Sequence, residues 1–140
     1  MTFEEQTRCV LECTRLCEDF AYTIDRRQYE KFLQLFTPDP VLDRAGRIFS
    51  GVEGLRLFCA GRDVNRYVRH ICSNIRIDPT GSATATGTSC ATMYHAAALP
   101  DAELPLPTAI PLVAEYEDDY TLTEAGWKIK SRKVTIVFQA

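Results

Sequence analysis

The chain has 140 residues, enough for one domain, spanning residues 1–140, that buries roughly two-thirds of the surface its unfolded form exposes. With 46% hydrophobic residues, 25% charged residues and a net charge of -3 in no block of one sign, it has the composition of an ordinary soluble globular protein. That balance lacks the basic footprint of a nucleic-acid binder, and no apolar run is long enough to cross a bilayer, so neither nucleic acid nor membrane is an expected partner.

The start, Met1-Thr2-Phe3-Glu4-Glu5, has neither the basic region nor the apolar core of a signal peptide, which points to the cytoplasm and to reduced cysteines. Val10, Cys13, Cys17, Phe20, Ala21 and Ile24 recur in steps of three and four, predicting an amphipathic helix over about 3–24. Cys9, Cys13 and Cys17 share one side of it, and with no companion Cys or His pair they read as core thiols rather than a metal site. Asp25 with Gln28 has the form of a capping box for a second helix carrying Tyr29, Phe32, Leu33 and Phe36, which should stop before Pro38. A short strand is expected near 41–43. Ser50 and Glu53 repeat the capping signal for a third helix ending near Gly61.

From residue 64 the texture is that of strands. The stretch 67–78 alternates, with Val68, His70, Cys72, Asn74 and Arg76 on one face and Ile71, Ser73, Ile75 and Ile77 on the other. A turn at 78–81 leads into a strand over 82–95 whose odd positions, from Ala83 through Gly87 and Ala91 to Met93 and His95, are nearly all small. Such a face leaves room for a cavity. Four prolines make 96–111 a surface loop, a lid or an oligomer arm, and strands over 112–123 and 127–138 follow around a hairpin turn at 124–126. Helices followed by strands predict an α+β fold. The outer sheet face, bearing Ile71, Ile75 and Ile77, needs a cover, so a homo-oligomer, dimer or trimer, is expected.

Two histidines are present. His70, in mid-strand, is placed to move protons at neutral pH, or to satisfy a neighbouring backbone group. His95 lies at the pocket mouth or is a partly exposed strand-end residue. Asp25 serves as a helix cap, as the acceptor of a histidine Nδ1 proton, or as both. Tyr116 and Asp118 share a face of the penultimate strand, as pocket groups or as ordinary amphipathic residues, and Arg132 reads as surface. No phosphate loop, metal-ligand spacing or serine elbow occurs, so no metal or cofactor is expected and cofactor-free proton transfer is the remaining enzymatic chemistry.

The motifs Tyr22-x-x-Asp25-Arg26-Arg27-x-Tyr29, Leu35-Phe36-Thr37-Pro38-Asp39, Gly51-x-Glu53-Gly54, Arg69-His70-x-x-x-Asn74, Tyr116-x-Asp118 and Gly126-Trp127-Lys128-Ile129 resemble, in order over about 3–138, the SnoaL-like branch of the nuclear-transport-factor-like superfamily. The resemblance implies an α+β barrel cone, three N-terminal helices on a strongly curved, mainly antiparallel sheet. Within the branch the pattern is similar to scytalone dehydratase and hexachlorocyclohexane dehydrochlorinase, in which a first-helix aspartate supports a strand histidine that removes a substrate proton. Asp25 and His70 match those positions, implying a catalytic pair; Tyr22, Tyr29, Asn74, Met93, His95, Tyr116 and Asp118 are the candidate substrate-binding residues beside it. The dehydratase's tyrosines are missing, with Ile24 and Leu42-Asp43-Arg44 in their places, which argues against the same substrate. The implied function is a dehydratase-like lyase or isomerase acting on a small hydrophobic, cyclic or polyketide-like molecule. The alternative is a non-catalytic small-molecule-binding or assembly subunit.

Overall fold

Thr2 closes the start of the first helix, α1 (Phe3–Asp25): its hydroxyl accepts from the Glu5 N–H at 3.1 Å while its own N–H donates to the Glu5 carboxylate at 2.8 Å. The computed structural model describes residues 1–107 and 110–140. Along α1 the buried stripe is Cys9, Cys13, Leu16, Cys17, Phe20 and Ile24, so the cysteines are core thiols as expected, while Leu16 rather than Val10 completes the apolar face.

The second helix, α2 (Tyr29–Leu33), is only five residues long and does not use the expected capping box. Its cap residue is Gln28, with no side-chain bond, because the Asp25 carboxylate is engaged elsewhere. Phe36 belongs instead to a strand, β1 (Phe36–Arg44), which runs through Pro38 and Pro40. Prolines are tolerated there because pairing with the last strand is interrupted between Phe36 and Val41, where their missing N–H groups are not needed. A two-residue turn, Ala45-Gly46, both with positive φ (52° and 94°), returns the chain into β2 (Arg47–Ser50), a strand the sequence pattern did not announce. The third helix, α3 (Gly51–Ala60), starts after Ser50 as expected, although the Ser50 side chain makes no capping bond.

Four long strands follow: β3 (Arg66–Pro79), β4 (Thr84–Ala97), β5 (Leu112–Thr123) and β6 (Gly126–Phe138). The six strands form one sheet in the order β2-β1-β6-β5-β4-β3. It is mixed, since β1 runs parallel to β6 while the other neighbours are antiparallel. The three helices pack on it, giving the expected α+β architecture; α1 lies against β3 and β6, and α3 against β1 and β2.

Two irregularities decide which side chains face inward. On β3 the pairing slips between Ser73 and Arg76, with Asn74 at φ 52°, so the alternation reverses. Val68 and Cys72 face the core before the bulge, Ile75 and Ile77 after it, which corrects the expectation of an outer isoleucine face; only Ile71 stays outside, 55% exposed. On β4 the small-residue face is buried from Ala85 to Met93, as expected, but only its upper half leaves space. At Gly87 a β-carbon would come within 2.9 Å of Ile77 Cδ1 and 3.0 Å of Tyr120 Cε2, so the lower half is filled by neighbours. Thr108 and Ala109, within the expected proline loop, lie outside the described residues.

Candidate active site

Asp25 is the last residue of α1, and there its side chain turns across to β3. Its Oδ1 lies 2.5 Å from His70 Nδ1, and its Oδ2 accepts the His70 backbone N–H at 2.6 Å. An ionised carboxylate can only accept, so Nδ1 must carry a proton and the neutral ring presents an unprotonated Nε2. The side chains are 11% exposed for His70 and 2% for Asp25: the carboxylate is sealed behind the ring, and the ring faces a cavity.

Arg27 braces this junction. It sits at φ 57°, just past the helix, and its guanidinium donates to the backbone carbonyls of Asp63, Val64 and Arg66 at 3.3, 3.1 and 2.8 Å. The end of α1 is thereby tied to the start of β3, the two segments that carry the pair.

The cavity has a volume of about 240 Å³. Its inner wall is apolar, built from Phe20, Ile24, Val68, Ala91, Met93 and Ala114, while its rim carries Arg27, Arg44, Arg47, Arg62 and Arg66 with Asp63. Tyr116 joins the inner wall. Its hydroxyl makes no hydrogen bond to the described residues, and burial pushes its pKa up to about 12 against the opposing pull of Arg132, so it remains a protonated donor at neutral pH.

Behind Tyr116 lies a second, closed cluster. Arg132, read from sequence as surface, is fully buried and forms a bidentate ion pair with Asp118, Nε donating to Oδ1 and Nη2 to Oδ2, each at 2.8 Å. Its guanidinium lies between the rings of Phe20 and Tyr116, 4.2 and 4.0 Å from their centroids. Tyr120 donates to Asp118 Oδ2 at 2.7 Å, and its hydroxyl meets the Cys17 thiol at 3.0 Å. Burial and the adjacent Asp118 carboxylate hold the Tyr120 phenol well above its ordinary range, and burial pushes Cys17 up to about 11. This cluster therefore holds fixed charges and neutral acids.

Of the sequence-derived site residues, the structure brings together Asp25, His70, Met93 and Tyr116. Asp118 lies in the closed cluster, and Asn74 is exposed at the β3 bulge. Tyr22 is 51% exposed under the Arg26 guanidinium, and Tyr29 packs against the core. His95 faces a separate hollow with Tyr67, Tyr94 and Leu104, its pKa lowered by partial burial and by Arg66. Among the described residues no group of three or more His, Cys, Asp or Glu side chains could hold a metal ion. No described helix is long and apolar enough to cross a membrane. Arg132 had a signal in sequence after all, since it shares the even positions of β6 with buried Val134 and half-buried Ile136.

A family model described as a SnoaL-like domain matches residues 5–133. No curated protein matches the chain. Among solved structures, a candidate scytalone dehydratase from Novosphingobium aromaticivorans is 20% identical, covering 98% of this chain and 89% of that one, with a TM-score of 0.80. The hexachlorocyclohexane dehydrochlorinase LinA type 3 from Novosphingobium barchaimii is 15% identical, covering 98% and 92%, with a TM-score of 0.82. A candidate dehydratase of the NTF2-like family from Streptomyces avermitilis is 20% identical, covering 94% and 98%, with a TM-score of 0.77. At these identities the likeness establishes a shared fold.

Proposed function

The chain belongs to the SnoaL-like domain family, and on that premise we propose that it is a cofactor-independent lyase or isomerase of the dehydratase type. Its substrate in this proposal is a small hydrophobic molecule, cyclic or polyketide-like, and its base is His70. The observation that carries the proposal is the Asp25 carboxylate, both of whose oxygens are held by His70, behind a ring that faces an open cavity. A subunit that only binds or assembles needs no such pair. The fold likeness to proteins named as dehydratases and a dehydrochlorinase adds support, because both names describe loss of H–X from adjacent carbons.

In this mechanism Nε2 takes a proton from a carbon next to an electron-withdrawing group. The C–H electrons form the new double bond, and the electrons of the C–X bond leave with X. Asp25 stabilises the imidazolium that forms, and the Tyr116 hydroxyl donates to the developing oxyanion or the departing group. When X is hydroxide, the proton returns from Nε2 to complete a water molecule. When the substrate carries no leaving group, reprotonation at another carbon gives the isomer. Apolar walls strengthen each of these electrostatic contacts by excluding water. The proposal includes a single domain whose sheet wraps the cavity as a cone, working in the cytoplasm as a dimer or trimer; exposed Ile71, Val137 and Phe138 offer apolar surface for assembly.

The base can be tested before the substrate is known. In 5-nitrobenzisoxazole, removal of one C–H proton lets the C–H electrons complete a nitrile while the N–O bond breaks to a phenolate, so a placed base suffices. The protein should accelerate this opening above imidazole buffer, and His70→Ala should lose about 10²–10⁴-fold. A wild-type rate equal to buffer, or a His70→Ala rate within about threefold of wild type, counts against His70 as the base.

A further inference from the structure

The chain carries a net charge of -3, yet the cavity is lined by five arginines against two aspartates, one of which, Asp25, is committed to His70. Arg27 is committed too, to three backbone carbonyls. The remaining four, Arg44, Arg47, Arg62 and Arg66, form no ion pair among the described residues. They converge from two places: Arg44 and Arg47 face each other across the β1–β2 hairpin, and Arg62 and Arg66 flank the connection from α3 into β3.

Three of these guanidiniums are not loose surface charges. Arg47 lies over the Phe49 ring at 4.9 Å and Arg62 over the Phe58 ring at 5.8 Å, and those two rings meet edge to face, 5.3 Å apart, at the cavity wall. Burial lowers the pKa of Arg66, and Arg62 and Arg44 lower it further by like-charge repulsion that Asp63 only partly offsets. A set of cations gathered against its own repulsion around a low-dielectric opening focuses a positive field there, and each guanidinium presents the planar fork that matches a carboxylate or phosphate. Exposure divides the cavity lengthwise: the outer arginines Arg44 and Arg47 are exposed, while the walls near His70 are buried and apolar.

We infer that the ligand of this site is an apolar molecule with an anionic tail. Its body occupies the inner cavity beside His70, and a carboxylate or phosphate group stays at the rim among Arg44, Arg47, Arg62 and Arg66. The inference deepens the proposed function, on which it rests for the direction in which the substrate lies.

The test compares 2-naphthoate, 2-naphthyl phosphate and neutral methyl 2-naphthoate by calorimetric titration of the full chain. At about 50 mM salt at least one anion should bind about tenfold or more tightly than the ester, and the advantage should shrink several-fold at about 500 mM, where the screening length is only a few ångströms. The stronger of the two anions identifies the tail. Substituting Arg44→Gln, Arg62→Gln and Arg66→Gln together should abolish the preference. If that variant unfolds, the exposed positions changed singly, Arg44→Gln or Arg47→Gln, should each cut it about threefold. The ring-opening assay on the same protein is read separately from this titration: the base can fail while the anion preference stands, and the reverse. An ester bound as tightly as both anions, no binding of either anion at about 1 mM, or a preference untouched by the arginine changes each overturns the inference.

Discussion

Two buried carboxylates, Asp25 and Asp118, approach the same interior and end in opposite states. Asp118 is closed on every side: Arg132 takes both oxygens, Tyr120 adds a third donor, and neither member of the ion pair has exposed side chain. Asp25 is equally deep, at 2% side-chain exposure, but its partner is a titratable ring that reaches the cavity at 11%. The permanent charge of arginine makes the first pair a structural element that holds Tyr116 in place from behind. The imidazole makes the second pair able to pass a proton. Similar burial thus gives a fixed wall in one place and a candidate reactive group in the other, and the partner's chemistry makes the difference.

That comparison breaks most visibly in stability. Asp118→Ala strands a fully buried guanidinium and should cost ~3–5 kcal/mol in urea unfolding, whereas Asp118→Leu with Arg132→Met, which removes both charges, should recover most of it. A double variant as unstable as the single one would show that the cluster acts through shape rather than charge balance. Gly87→Ala should cost ~1–3 kcal/mol, because its methyl would press on Ile77, the Arg76 carbonyl and the Tyr120 ring that holds Asp118. Asp25→Asn keeps the side-chain volume and should cost only about 1 kcal/mol. It should still lower the ring-opening rate about 10²-fold by removing the charge that supports the imidazolium. A stability loss for Asp25→Asn as large as for Asp118→Ala would erase the distinction between the two carboxylates.

How much of this was written in the sequence depends on whether the signal is local. The apolar steps of α1 from Cys13 to Ile24, the strand order β3 to β6 and the small face of β4 from Ala85 to Met93 follow from periods of 3.6 and 2, and the structure contains them. The hairpin into β2 carried a Gly46 turn signal, but its strand is four residues long, too short for alternation to register. The bulge at Asn74 reversed the inner face of β3 because a shift of one residue inverts every later position. Arg132 was misplaced because a cation on a strand is ordinarily solvated, and only its direct pairing with Asp118 across β5 and β6 supplies a counter-charge. Asp25 and His70 are 45 residues apart, so spacing could not join them; the family motif did. The rim arginines come from separate segments and had no shared signal in the sequence.

The smallest effect belongs to Tyr116, which lines the cavity on one side and carries the Arg132 guanidinium on its ring. Its hydroxyl has no partner among the described residues, so Tyr116→Phe should change stability near neutral pH by less than about 0.5 kcal/mol. The difference should open only in alkali. In the folded chain the Tyr116 pKa is raised from 10.0 to about 12 by burial, so above pH 10 the folded state holds a proton that the unfolded state releases. Stability must therefore fall as pH rises from 10 towards 12, and the variant, lacking the group, should fall less steeply over that window. Cys17 and Cys59, each raised from 9.0 to about 11 by burial, start the decline earlier in both proteins, so the comparison is the difference between two urea-midpoint curves from pH 8 to 12. Parallel curves across pH 10 to 12 would mean that the phenol ionises as readily inside as outside. It would then be too wet to serve as the buried donor that separates the open side of this interior from the closed one.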